Sequence, residues 1–206
     1  MMRLLILTMG GICMSSKLYF YYGAMGSSKT ANALMIAFNY EQRNQSVLFL
    51  KPKIDSRFGG TIVKSRIGIQ RESVVVDSED NLFYLMKDFD PDVVIVDEVQ
   101  FMSPNQIIQL SKIVDDYDIP VLTFGLRTDF KGNLFPGSEM LFRLADTFHE
   151  IKTMCWCGKK ATMNARIVNK KVVKSGSQIQ IGGDESYVSL CREHWENNDL
   201  GSFIKN

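Results

Sequence analysis

LYFYY at residues 18–22 runs directly into GAMGSSKT at residues 23–30, and the reading of this stretch decides the fold. Five β-prone residues lead into a short turn of glycine, serine and small side chains. A lysine, a threonine and an amphipathic run follow, with Ala33, Leu34, Ala37 and Phe38 on one face as far as about Arg43. Strand, loop and helix in that order are the context of a phosphate loop. Successive backbone N–H groups and the positive end of the helix surround phosphate oxygens, Lys29 adds a point charge, and the Thr30 hydroxyl is suited to ligate Mg²⁺. The candidate phosphate-binding residues are Gly23, Met25, Gly26, Ser27, Ser28, Lys29 and Thr30. Ser28 departs from the pattern: glycine ordinarily stands before the lysine, and a Cβ there restricts the backbone. Taken alone, the segment also reads as a Gly/Ser-rich turn ahead of a capped helix.

A second stretch narrows that choice. VVIV at residues 93–96 runs straight into Asp97 and Glu98. Acids at the carboxyl end of a buried strand lie where ligands bind in open α/β sheets. Asp97 fits the role of a magnesium holder, directly or through water. Glu98 is left for another task, and a general base is the natural one. Gln100, two residues on, is grouped with the nucleotide contacts.

The same logic extends along the chain. VLFL (47–50), VVV (74–76) and PVLTF (120–124) are further β-rich runs without strict alternation, as suits strands buried on both faces of a parallel sheet. Leu82, Leu85, Met86 and Phe89 repeat at helical spacing. Ser103, Pro104 and Gln106 give the start of another helix: a cap, a proline at the first helical position and a capping box. Strand–helix alternation predicts an α/β fold, a parallel sheet flanked by helices. After about His149 the pattern changes to short alternating runs, such as QIQI (178–181), between cysteines. The expected division is a nucleotide-binding domain over 17–149 and a small β-rich domain over 150–206, with 1–16 a poorly ordered extension.

Cys155, Cys157, Cys191 and His194 supply three thiolates and an imidazole, a usual tetrahedral zinc set. The Cys-x-x-His pair has good spacing, whereas Cys-x-Cys is one residue tighter than the usual knuckle. Four positions taken make such a site structural. The alternative is a group of reduced, buried cysteines that bind nothing; the fourth cysteine, Cys13, stands apart. A net charge of +1 supports no large phosphate-neutralising surface, so no nucleic-acid partner is expected. The apolar run from Leu4 to Met14 is too short to span a bilayer, and no membrane partner is expected either.

From Lys17 to about Asn198 the chain resembles the small, tetrameric, zinc-containing thymidine kinases. The resemblance rests on GAMGSSKT (23–30), KPKIDSRFGG with SRIG (51–60 and 65–68), DEVQF (97–101), GLRTDFKG (125–132) and IGGDESYVSLCREH (181–194) in that order. It implies a RecA-like P-loop NTPase domain with a zinc-bound module bearing a lasso loop, and phosphorylation of thymidine or deoxyuridine by ATP with Mg²⁺. By the same resemblance Glu98 is the base, while Phe101, Phe130, Met25 and Leu126 line the thymine pocket. Gln178, Ile179, Ile181, Gly182 and Tyr187 form the lasso, and Asp55 and Arg57 approach the phosphates, Arg57 as a catalytic group with Lys29. A cytoplasmic homotetramer is implied too. Arg127 stands where many bacterial relatives have an acid. Two competing readings are a P-loop ATPase acting on DNA through a zinc knuckle and a non-catalytic nucleotide- and zinc-binding module.

Overall fold

The computed structural model describes residues 16–55, 60–178 and 187–201. Residues 1–15 of the expected N-terminal extension, Cys13 among them, and Arg57, Ile179, Ile181 and Gly182 lie outside the described residues, whereas Ser16 bonds Asp118.

A phosphate loop must be held by a stiff sheet, and the buried runs supply one. Strands β1 (Leu18–Tyr22), β2 (Val47–Pro52), β5 (Val74–Val76), β6 (Val93–Val96), β7 (Val121–Gly125) and β8 (Thr147–Glu150) form a six-stranded sheet in the order β5-β2-β6-β7-β1-β8. Every pairing in it is parallel. Alternate residues of the inner strands therefore feed two cores. Phe20, Leu48, Leu50, Val94, Val96 and Val121 meet helices α2 (Leu82–Phe89), α3 (Pro104–Tyr117) and α4 (Pro136–Leu144) on one face. Phe49, Val93, Ile95, Leu122 and Phe124 meet helix α1 (Lys29–Glu41) on the other. Burial on both faces explains why these strands read as continuous apolar runs.

Helix α3 begins as its sequence predicts. The Ser103 side chain accepts from the Gln106 N–H, the Gln106 side chain accepts from the Ser103 N–H, and Pro104 opens the helix. A hairpin of β3 (Ile62–Lys64) and β4 (Gln70–Glu72) projects from the strand ends. The buried Lys51 ammonium holds its base by donating to the Ile62 carbonyl at 3.0 Å.

Beyond β8 the chain builds smaller pieces. A hairpin of β9 (Thr153–Met154) and β10 (Lys160–Ala161) precedes a three-stranded antiparallel sheet, ordered β12-β11-β13, of β11 (Met163–Val168), β12 (Lys171–Val173) and β13 (Tyr187–Leu190). A five-residue helix α5 (Arg192–Glu196) closes the unit. Its apolar core is small: Cys155, Ala161, Ala165, Leu190, Cys191, Trp195 and Leu200. A core of that size calls for a staple. Among the described residues no helix is long and apolar enough to cross a membrane.

Candidate active site

Strands β1, β6 and β7 all end at one edge of the sheet, with β7 between the other two, and a cleft of ≈ 210 Å³ opens there. At its floor is the loop between β1 and α1. Gly23 has no room for a side chain, since a Cβ would overlap the Ile151 carbonyl and the Ser27 hydroxyl. Gly26 has φ +72°, and Ser28 has φ 61° and ψ 28°, so both occupy the left-handed region. Ser28 thus adopts the conformation that glycine would favour, which explains how the loop keeps its course despite the departure. The Lys29 ammonium folds back over the loop, donating to the Ala24 carbonyl at 2.9 Å and to the Gly23 carbonyl and Ser27 hydroxyl at 3.3 Å. Met25, Gly26, Ser28, Lys29 and Thr30 line the cleft; Gly23 and Ser27 are buried beneath it.

Asp97 and Glu98 line the same cleft from the end of β6. Asp97 is buried and its N–H is tied to the Leu50 carbonyl at 3.0 Å. Glu98 has φ 51° and ψ 36°, a left-handed conformation rare for a residue with a side chain and often found at functional sites. That turn leads from the buried strand into the 3₁₀ turn Val99–Phe101. Gln100 does not line the cleft. Its buried amide donates to Glu98 Oε2 at 2.6 Å and accepts from the Leu126 N–H at 2.9 Å. Gln100 therefore positions the carboxylate from beside the cleft.

The other end of the cleft is apolar and aromatic. Met25, Phe101, Leu126, Phe130, Gln178 and Tyr187 are brought together there, with Phe135 and Asn164 beside them. Phe135 packs edge-on to Phe101, with centroids 5.6 Å apart. Phe130 is 1 % exposed, as deeply buried as a core side chain, although its neighbours in sequence are polar. The contrast has a local cause. Asp129 Oδ1 accepts from the N–H groups of Lys131 and Asn133, curling the loop so that Phe130 turns inward. The small C-terminal unit then grips it twice: the Trp195 indole donates to the Phe130 carbonyl at 3.1 Å, and the Arg166 guanidinium lies 3.7 Å above the ring centroid. Arg166 also donates to the Tyr187 hydroxyl at 2.7 Å and to the Ser177 carbonyl. Gln178 is anchored to Asp129 Oδ2 at 3.2 Å. Asp129, Phe135, Asn164 and Arg166 escaped the sequence reading; the first, in GLRTDFKG, was within reach as a buried-turn acid, but the others carry no local signal.

Asp55 also lines the cleft, and Arg127 sits outside it, donating to the Thr162 carbonyl. His149 is a member of β8, stacked on Tyr21 at 4.6 Å, and is remote from the cysteines.

Cys155, Cys157, Cys191 and His194 converge, with their ligand atoms all within 4.8 Å of one another. The β9–β10 turn presents the first two, and Cys191 caps the short helix that carries His194. Burial raises the Cys155 thiol above its ordinary pKa, whereas a backbone N–H of Lys159 lowers that of Cys157. His194 Nδ1 faces Cys155 Sγ at 3.3 Å, and Nε2 faces the Asp199 carboxylate at 3.9 Å. A carboxylate behind the imidazole is the arrangement that fixes a ligating histidine's tautomer. The donor set and its closeness fit tetrahedral zinc.

A phosphate loop, an acidic strand end and an aromatic pocket in one cleft define a P-loop nucleotide-dependent phosphotransferase. Comparison with known proteins narrows this. A family model described as thymidine kinase matches residues 16–195. A thymidine kinase of Rhodopirellula baltica is 49 % identical over 186 residues, covering 88 % of each chain. One from Legionella pneumophila is 44 % identical, covering 90 % of this chain and 92 % of that one, and one from Lactiplantibacillus plantarum is 45 % identical, covering 87 % and 95 %. Among solved structures, the Pif1 helicase of Candida albicans matches at a TM-score of 0.41 and 14 % identity, over 68 % of this chain and 36 % of that one. The chain belongs to the thymidine kinase family.

Proposed function

We propose that the cleft transfers the γ-phosphate of ATP to the 5′-hydroxyl of thymidine or deoxyuridine, giving the 5′-monophosphate for pyrimidine salvage. One observation carries the assignment: Glu98 opens on a single cleft whose one wall is the phosphate loop and whose other wall is the Phe101–Phe130–Tyr187 pocket. Phosphoryl transfer asks chiefly for positioning and charge stabilisation. Glu98, held by Gln100, accepts the hydroxyl proton as the new oxygen–phosphorus bond forms. Lys29 and the N–H groups of residues 26–30 stabilise the phosphates, with Asp55 and Arg57 assigned to approach them. Thr30 and Asp97 would hold Mg²⁺, which would offset phosphate charge during transfer. The pyrimidine ring packs between Phe101 and Phe130, flanked by Met25 and Leu126, and Tyr187 with Gln178, Ile179, Ile181 and Gly182 closes over it. Zinc on Cys155, Cys157, Cys191 and His194 is structural, since all four positions are filled by protein. The working form is a cytoplasmic homotetramer without a nucleic-acid partner.

The test is ADP release from MgATP by purified protein with thymidine, deoxycytidine, single-stranded DNA or nothing added. Release that requires thymidine, with thymidine monophosphate recovered, is the expected result. Stimulation by DNA, or release indifferent to every addition, would refute the pocket assignment and leave only the nucleotide fold.

A further inference from the structure

Met25 lies in the middle of the phosphate loop, yet its backbone is held from outside the loop. Its N–H donates to Asn164 Oδ1 at 2.8 Å, and its carbonyl accepts a hydrogen bond from the Ser189 hydroxyl. Asn164 and Ser189 face each other across the β11–β13 ladder. Directly opposed residues send their side chains to the same face of a sheet, so the two hold the peptides on either side of Met25 like the jaws of a clamp. Asn164 is 3 % exposed, and its Nδ2 donates to the Thr128 carbonyl at 2.8 Å. It thereby ties the phosphate loop to the loop after β7 as well.

The next opposed pair on that face is Arg166 with Tyr187. That pair meets the pocket: the guanidinium covers the Phe130 ring and bonds the Tyr187 hydroxyl, and Tyr187 lines the cleft. One stiff sheet face thus carries part of the nucleoside wall and, two residues along, the grip on the phosphate loop. Met25 links the two ends again, since its side chain lines the cleft while its peptide leads into Gly26 at φ +72°.

We infer that Asn164 and Ser189 are positioning residues that couple the two substrate sites. A nucleoside seated against Tyr187 and Phe130 orders the sheet face, the ordered face fixes Met25, and the loop N–H groups are then pre-aimed at the phosphates of ATP. Linkage requires the reverse effect to be equal. Loss of a clamp that merely stabilised the fold would lower stability and weaken both ligands, but would leave their mutual effect untouched. The inference rests on the nucleoside reading of the pocket.

The experiment is calorimetric titration of the full-length, zinc-loaded protein with the non-transferable β,γ-imido analogue of ATP and Mg²⁺, without and with saturating thymidine. Thymidine alone is titrated in parallel. In the unaltered protein thymidine tightens the analogue by about 5-fold or more, within the usual range for coupled sites. In Asn164→Ala and in Ser189→Ala that factor falls toward one. Ser189→Ala removes a single hydroxyl and keeps the test decisive should the asparagine variant fold poorly. An undiminished factor in the variants, or no coupling in the unaltered protein despite thymidine binding, overturns the inference. Absence of thymidine binding to the unaltered protein overturns the pocket reading, and the coupling falls with it.

Discussion

Replacing Ser28 by glycine should make this protein more stable, although it deletes a side chain next to the phosphate-loop lysine. Ser28 sits at φ 61° and ψ 28°, and its hydroxyl makes no capping bond to helix α1. A side-chain-bearing residue in the left-handed region costs about 1–2 kcal/mol. Glycine relieves that strain but loses more backbone freedom on folding, about 0.5–1 kcal/mol. The midpoints of the two ranges leave a gain of about 0.75 kcal/mol, or a rise of about 1.5–3 °C in the unfolding midpoint for a chain of this size. Ser28→Ala is the control: it keeps the Cβ and the strain, so its midpoint should stay with the unaltered protein. Scanning calorimetry of the ligand-free, zinc-loaded protein measures all three. A glycine variant that melts no higher, or an alanine variant that gains as much, would refute the strain argument and show that the serine hydroxyl or the loop's flexibility governs this position.

Glu98→Gln should lower turnover by about 10²- to 10⁴-fold, the usual worth of a general base, while the Kd for MgATP stays nearly constant. Steady-state rates and calorimetry check both halves, and an active glutamine variant removes Glu98 from the base role. Stripping zinc with a chelator should lower the unfolding midpoint and abolish thymidine binding, with ATP-analogue binding weakened as well, because β11 and β13 also hold Met25. Metal-free protein that binds thymidine at full strength would show the cysteines to be incidental. Thr128→Val should leave stability unchanged or raise it by about 1 kcal/mol. The buried Thr128 hydroxyl has no hydrogen-bond partner among the described residues, and removing an unsatisfied group of the same shape carries no penalty. A thermal midpoint lowered by several degrees would reveal a bound partner, such as an ordered water.

The elements legible in the sequence are those whose burial follows their own composition. β1, β2, β6 and β7 are apolar on both faces because both faces are covered, and α3 announces itself through Ser103, Pro104 and Gln106. β8 was not legible. Thr147, Phe148, His149 and Glu150 form an edge strand that, among the described residues, pairs only with β1, so nothing there forces an apolar pattern on it. Helix α4 escaped for a related reason. It is only nine residues long, and its first buried positions are Gly137 and Ser138, small residues at a close approach that a short hydrophobic pattern does not mark. The phosphate loop, the acids after β6 and the metal ligands were readable because each is a compact motif tied to its chemistry.

What the sequence could not display is the shared wall. Asn164, Arg166 and Ser189 are polar residues on short strands, and by composition they belong on a surface. They are turned inward only because the phosphate loop and the Phe130 loop approach the same sheet face. Once there, each has a partner: Met25 and Thr128 for Asn164, Tyr187 and Ser177 for Arg166, Met25 for Ser189. Buried polar groups that are fully paired specify one arrangement where an apolar contact would tolerate sliding. An in-line transfer needs the acceptor hydroxyl and the γ-phosphate placed to within fractions of an ångström. The parallel sheet fixes the phosphate side through Gly23 and Lys29, and it fixes Glu98 through Gln100. It cannot by itself fix the nucleoside, because Phe130 and Tyr187 are held by Trp195 and Arg166 of the smaller unit. Registry between the two substrates therefore depends on polar bonds that cross between the units, and the Cys155–Cys157–Cys191–His194 group, whose Cys191 directly follows β13, lies where stiffening a few residues of β-sheet matters most.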